Sequence, residues 1–581
     1  MGRIVGRIDR AGRLAAVLAV LGLALLLLAA AVGWTGGFEF RLAGARIRSH
    51  AWERPAIAGL VCLGTALFLV RRRAPPFLSR VCRALESRQA ATVVALAAVA
   101  WTLVAGWSFS TRSAGGSDSS GYVSQARLLA RGHLTDDNAL GTRPPWPHAE
   151  NTLAPLGYTP APDRARFSPT YPPGLPLLMV PAFLLHPSAV YAVVPLCGAA
   201  LVWWTFALGR RLGEPAAGAV AALLVSVSPT FLYQLVQPMS DVPVSAAWIL
   251  ALLLAHRATL ASCALSGVAA GIAILIRPNL APLAVLVLAA GALPRSPVSR
   301  WRRIAGAGLA IVPFAVCLGL IQGVRYGSPL ASGYGSVDSL FAMANVAPNL
   351  ARYPRWLAET HTPVIWLWLV APAWIVRRRR GVTAAAPLFV LWLFCLAVVA
   401  AYLPYMYFQP QEWMYTRFLL PAIPLMWLLC AAMTVDALGR LTQVPRVAAG
   451  ALLLAGVALF SLRAAHLRFA FELKDGERKY VLAGEYAASR LPRNAVVVSM
   501  QHSGSIRYYS GLPILRWDFV EPDSLDGAVA WLKANGRTPF AVVDEWEFEE
   551  MKQRYGPTHQ VTLDRLVQVA QFDETVVYAI R

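Results

Sequence analysis

Apolar positions in this chain mostly run unbroken for 14–23 residues and are separated by short polar loops, instead of alternating as on a half-buried strand. A helix needs about 20 residues to cross about 30 Å of hydrocarbon. Read this way, the runs predict roughly thirteen membrane helices, at 13–35, 54–71, 90–109, 189–209, 215–234, 241–256, 262–276, 279–294, 304–322, 363–376, 384–405, 418–437 and 447–463. The shorter runs must borrow flanking residues, tilt, or pack on neighbours. After residue 464 the pattern changes. "KYVLAGEYAASRLP" reads as helix, "NAVVVSM" as strand, "DSLDGAVAWLKANG" as helix ended by Gly, and "FAVVD", "LVQVAQFD" and "TVVYAIR" as strands. The expected fold class is a polytopic α-helical membrane protein with a C-terminal soluble α/β domain. Its expected parts are residues 1–88, an N-terminal pair of membrane helices joined by an outer hairpin at "FEFRLAGARIRSH"; 89–463, a membrane domain with an outer loop at 110–188; and 464–581, the α/β domain.

Composition agrees: 57% of residues are hydrophobic and 14% charged, against about 25% charged in soluble domains. The first apolar run follows Arg3, Arg7, Arg10 and Arg13 as a signal peptide would, but it is longer than a usual signal core of about 7–15 residues and is read as a retained helix. A net charge of +22 would fit nucleic-acid binding, yet the Arg clusters at 71–73, 210–211, 295–303, 377–380 and 440–446 abut the ends of apolar runs. Cytoplasmic loops concentrate Lys and Arg in this way. With the N-terminus in the cytoplasm, every such cluster falls inside, whereas the loop 110–188, the loop 323–362, residues 407–417 and the C-terminal domain fall outside. The seven cysteines stand singly and contain no CxxC, so neither a zinc site nor a disulfide framework is expected. There is no HExxH, phosphate-binding P-loop or Ser-centred elbow to support proteolysis or ATP-driven transport.

The candidate chemistry begins at "SDSSGYVSQARLLARGHL", residues 117–134, where the chain first emerges on the outer side. Ser117 or Asp118 can cap a short amphipathic helix that carries Tyr122, Ala126 and Leu129 on one face and stops at Gly132. Further on, "YPPG" at Tyr171–Gly174 launches an apolar helix too short to span easily, expected to lie in the interface. Asp118 can take the proton of an attacking hydroxyl. Arg277, Arg417 and Arg325, at outer ends of spans, are candidates to bind the departing phosphate through planar guanidinium groups. Tyr122, Tyr171, Asp241 and Glu412 are candidates to bind substrate. Asp136, Asp137, Glu150 and Asp163 could each supply a second acid, while His133 and His148 read as solvated loop residues.

These motifs resemble the GT-C superfamily of integral-membrane glycosyltransferases, nearest the bacterial branch related to protein O-mannosyltransferases and aminoarabinose transferases. The similarity lies in an Asp after a membrane helix, a Tyr four residues on, and the "YPP" turn. It continues through "QPMSDVPVSAAWILALLLA" at 237–255, "GVAAGIAILIRPNLAPL" at 267–283, "RYGSPLASGYG" at 325–335 and "YTRFLLPAIPLMWLL" at 415–429. Two departures stand out. Many relatives carry a second acid beside the first, where this chain has Ser117 and Ser119. Aminoarabinose transferases have a Lys where Tyr171 stands. The resemblance implies an inverting transfer of a sugar from a polyprenyl-phosphate donor to an acceptor hydroxyl or amine of a glycan, lipid or protein, at the outer face of a bacterial inner membrane. No cofactor is expected; a divalent metal is compatible with the chemistry but not indicated. The competing reading is a polytopic lipid or solute transporter or flippase, in which the 262–276/279–294 pair would be one broken element, but no matching second half is present. Arg277→Ala is expected to weaken donor binding without altering folding.

Overall fold

The computed structural model describes residues 53–70, 76–138, 140, 144–378, 382–407, 413–558 and 560–581, the strand residues 38–42 and 45–49, and scattered positions between 14 and 32. Among the described residues five helices are long and apolar enough to cross a membrane: Arg88–Ser108, Pro187–Arg211, Arg300–Tyr326, Ala385–Tyr402 and Gln443–Leu467. Two further pairs pass together but are bent, Pro215–Ser226 with Pro229–Leu235 by 59° and Trp413–Leu419 with Ile423–Leu438 by 83°. Proline accounts for part of the bending, since it lacks an N–H donor and restricts the residue before it. Shorter apolar helices include Asp241–Ala255 and Leu260–Ile276, of 15 and 17 residues. The chain is thus a helical membrane protein. The hairpin predicted between the first two spans is present, with Phe38 opposite Ser49 and Leu42 opposite Ala45.

The Arg-rich helix ends meet at one end of the bundle. Arg378 reaches both Glu214 (2.8 Å) and Asp436 (3.1 Å), Arg211 donates to the carbonyl of His256, and Arg446 pairs with Glu86 at 2.6 Å. Asp241–Ala255 and Ile423–Leu438 run from the opposite end of the bundle towards this one, so Asp241 and Arg417 lie away from the arginine clusters.

Residues 473–580 form helices around a five-stranded mixed sheet in the order Ile514–Leu515, Ala495–Val498, Thr538–Asp544, Thr575–Ile580, Leu566–Phe572. The first three strands are parallel and the last two antiparallel. Successive side chains of a strand face opposite ways. Accordingly Ala495 and Val497 pack with Ala483, Ile506 and Val577, while Val496 and Val498 pack on the other face. That second face is completed by the loop 110–188: Leu128, Leu153, Tyr158 and Phe167 share one apolar cluster with Val496, Leu515 and Leu532. The helix Asp118–Ala130 is therefore buried on nearly every side, from Ser119 to Ala126 and at Leu128. The sequence suggests one buried face; the other is covered by residues almost four hundred positions downstream, as where Arg127 Nη1 donates to the Tyr508 carbonyl at 2.6 Å.

Candidate active site

The helix that starts at Asp118 has no side-chain cap: Ser117 is its N-cap, but its hydroxyl accepts from no backbone N–H there. Both side chains are engaged elsewhere, which corrects the capping expectation. Ser117 Oγ lies 2.6 Å from Tyr171 OH, and Tyr171 OH donates to Asp118 Oδ1 at 2.6 Å. Asp118 Oδ2 accepts from Arg417 Nη1 at 3.0 Å. The carboxylate is held at both oxygens, yet 31% of its side chain stays accessible, so a substrate can reach it. Tyr171 is held in turn by the rings of Tyr122 and Tyr334, at centroid distances of 4.8 and 5.9 Å.

A second acid–guanidinium pair stands on the same cavity. Arg277 Nη2 donates to Asp241 Oδ1 at 2.6 Å, with side chains 10% and 1% exposed, while Asp241 Oδ2 is buried with no hydrogen-bond partner among the described residues. Asp241 opens its helix without capping it, because its carboxylate is turned to Arg277. Arg277 stands where the helix Leu260–Ile276 breaks into a 3-10 turn at Pro278–Leu283. The break is fixed from outside by Gly174, which lies against the Leu275–Ile276 backbone so closely that a Cβ would collide with it. Phe418 sits between the two pairs: the guanidinium carbons of Arg277 and Arg417 lie 5.0 and 5.1 Å from its ring centre. Such contacts are each worth roughly 0.5–2 kcal/mol, depending on desolvation. Tyr402 OH accepts from Arg277 Nη1 at 3.4 Å, and Ser240 Oγ from Tyr122 OH at 2.9 Å.

These groups line one cavity of about 810 Å³. An apolar hollow of about 450 Å³, lined by Leu280, Leu283, Leu393 and Leu396 among others, adjoins it at Asn279, which lines both. Among the described residues no set of three or more His, Cys, Asp or Glu side chains is gathered as metal ligands.

Residues 172–319 match the family model of dolichyl-phosphate-mannose-protein mannosyltransferase. The structure of ArnT from Cupriavidus metallidurans bound to undecaprenyl phosphate has a TM-score of 0.52 at 14% identity, covering 85% of this chain and 99% of that one. The apo state of the same protein gives 0.53 at 15% identity, covering 85% and 98%. The chain has the GT-C fold of membrane glycosyltransferases. A third GT-C structure, the Archaeoglobus fulgidus oligosaccharyltransferase tethered with an acceptor peptide, gives 0.50 at 12% identity, covering 86% of this chain and 74% of that one. No curated protein matches the chain.

Within this GT-C fold, the cavity brings together Asp118, Tyr122, Tyr171, Asp241, Arg277 and Arg417. Arg325 also borders it, but its guanidinium is turned into the protein: Nε donates to the Leu134 carbonyl at 3.1 Å. With the Gln125 amide oriented to satisfy its neighbours, its oxygen accepts from both Arg325 Nη groups at 2.5 and 2.9 Å. Arg325 is 1% exposed and braces the loop 110–188 against the helix Arg300–Tyr326. In this structure its guanidinium is thus occupied by Leu134 and Gln125, unlike the phosphate-binding role expected of it. Glu412 lies outside the described residues. The other loop acids stand apart from the cavity lining: Asp136 pairs with Arg507, Asp163 with Arg166, and Glu150 lies 3.7 Å from Arg164. Sequence reasoning missed Tyr402, Phe418 and Ser240. The signals were at hand, in the aromatic density of residues 402–418 around Arg417 and in Ser240 directly before Asp241.

Proposed function

We propose that the protein is an inverting glycosyltransferase that moves a sugar from a polyprenyl-phosphate donor to an acceptor hydroxyl or amine of a glycan, lipid or protein. We place the reaction at the outer face of a bacterial inner membrane, with the N-terminus cytoplasmic and the C-terminal α/β unit outside. The observation that carries the reading is one cavity holding an accessible carboxylate, Asp118, beside two guanidinium groups, Arg277 and Arg417, with an apolar hollow next to it. The match to a dolichyl-phosphate-mannose-dependent family and the fold shared with a protein that binds undecaprenyl phosphate support the same donor class.

In this reading the polyprenyl chain lies along Leu280, Leu283, Leu393 and Leu396, and the phosphate meets Arg277 and Arg417. Arg417 gives one Nη1 hydrogen bond to Asp118 and lines the cavity, so one guanidinium can bridge the base and the phosphate. The acceptor oxygen or nitrogen attacks the anomeric carbon as the bond from that carbon to the phosphate oxygen breaks. Its proton passes to Asp118, and polyprenyl phosphate departs with the electron pair. A carboxylate is a weak base towards an alcohol, so the proton moves late, once bonding has made it acidic. The guanidinium groups stabilise the charge that grows on the phosphate. A single displacement of this kind inverts the anomeric centre. Tyr171 keeps Asp118 oriented, and Tyr122, Asp241 and Glu412 are assigned to substrate.

The test is Asp118→Asn in purified protein, given a panel of undecaprenyl-phosphate hexoses and pentoses with a cell-envelope fraction as acceptor. The variant should bind donor as wild type does and release no undecaprenyl phosphate. Transfer by the variant at the wild-type rate would refute the reading.

A further inference from the structure

The turn that delivers Asp118 is held by residues from the far end of the chain as well as by the membrane helices. Ala114 N donates to Tyr509 OH at 3.0 Å. Gly115 lies so near the helix Leu473–Arg490 that a Cβ there would run into the Glu477 carboxylate and the Tyr480 ring. Gly116 has φ +53°, in the left-handed region that favours glycine, and faces Gln501 Nε2 and Tyr480 OH. Gln501 Nε2 donates to Tyr480 OH at 2.7 Å, and the Tyr480 ring packs on His502 with centroids 4.8 Å apart. Beside the turn, Ser120 meets Gly504 with no room for a Cβ, and Leu156 N donates to Ser503 Oγ at 3.0 Å. The turn is tied rigidly to the helix it launches, because Ser120 N and Gly121 N donate to the carbonyls of Gly115 and Ser117 at 3.2 and 3.0 Å. A displacement at Gly115 therefore reaches Asp118.

We propose that Glu477, Tyr480 and Gln501 are positioning residues for glycosyl transfer, clasping the Gly115–Gly116 turn so that Asp118 stands where the acceptor proton is released. The inference rests on the reading of Asp118 as the base. None of the three lines the cavity, so they act on the reaction only through the turn. It also gives the α/β unit a part in catalysis. Misplacing a reacting group by 1 Å can cost on the order of 10²-fold in rate.

The experiment uses Tyr480→Phe and Gln501→Ala in the full-length protein, beside wild type and Asp118→Asn, with the undecaprenyl-phosphate sugars and envelope fraction named above. Both clasp variants should keep the donor KM within about twofold of wild type, keep the thermal unfolding midpoint, and lose about tenfold or more in kcat. If wild type transfers sugar, Asp118→Asn does not, and both clasp variants turn over at the wild-type kcat, the clasp is overturned and the base assignment survives. If wild type transfers nothing, the proposed function fails by itself and hydrogen exchange decides the clasp. Amides 115–121 should then exchange about tenfold faster in both variants, and unchanged protection there overturns the proposal.

Discussion

Replacing Arg277 by Ala should damage folding as well as donor binding, contrary to what the sequence suggests. The reason is Asp241, whose side chain is 1% exposed and which, among the described residues, forms its ion pair with Arg277 at 2.6 Å. Its second oxygen already lacks a hydrogen-bond partner among the described residues. Removing one member of such a pair leaves a buried charge uncompensated and costs about 3–5 kcal/mol. Losing the guanidinium from the Phe418 ring adds roughly 1 kcal/mol. The double variant Arg277→Ala/Asp241→Ala removes the stranded charge, so it should be more stable than Arg277→Ala alone, by about 2–3 kcal/mol. Donor affinity behaves differently. A charge-assisted hydrogen bond contributes about 1.5–3 kcal/mol, so both variants should bind undecaprenyl phosphate about ten- to a hundredfold more weakly. The assay is tryptophan-monitored thermal unfolding in detergent, with and without undecaprenyl phosphate. If the single and double variants unfold together, or Arg277→Ala matches wild type, the buried-pair argument is wrong.

Three further outcomes can be checked more simply. Tyr171→Phe removes the phenol that donates to Asp118 Oδ1 at 2.6 Å, and should lower kcat about tenfold or more with little change in unfolding temperature. Gly174→Ala puts a methyl group into the Leu275–Ile276 backbone, shifts Arg277, and should weaken undecaprenyl phosphate binding; an unchanged affinity would show that this approach can relax freely. Burial and the nearby Asp544 push the Glu477 carboxyl up to about 7, against the opposing pull of Lys479. A carboxyl raised on folding gives stability that is complete below its ordinary value near 4.5 and disappears as pH rises through about 7, a loss of at most about 3 kcal/mol. Unfolding midpoints between pH 5 and 8 should show that decline in wild type, and Glu477→Gln should flatten it.

Features that depend on neighbouring residues were legible in the sequence. Unbroken apolar runs mark apolar helices, of which five among the described residues are long enough to cross a membrane alone, Arg clusters mark one set of helix ends, and the short apolar runs "AVVV" and "FAVVD" mark strands of the sheet. The residues lining the cavity could be nominated, but their pairing could not. Arg417 meets Asp118 across 299 positions and Arg277 meets Asp241 across 36, and no local period encodes either contact. Arg325 shows the limit most clearly. In sequence it is a cation at a helix end beside a loop, as Arg417 is; only the fold sends one guanidinium to Asp118 and the other to Gln125 and Leu134. The capping expectation failed for the same reason. Ser117 and Asp118 have the right chemistry for a cap, and a distant tyrosine and arginine outcompete the helix for them.

The grip of Glu477, Tyr480 and Gln501 on the Gly115–Gly116 turn also sets an order of events during synthesis. Every long apolar run precedes Gln501 and Thr575–Ile580 along the chain and is therefore translated first. Until those codons are read, the carboxylate at 118 has its arginine but not its scaffold. On the proposed reading of Asp118 as the base, competence for transfer then comes late, when the sheet closes around the turn.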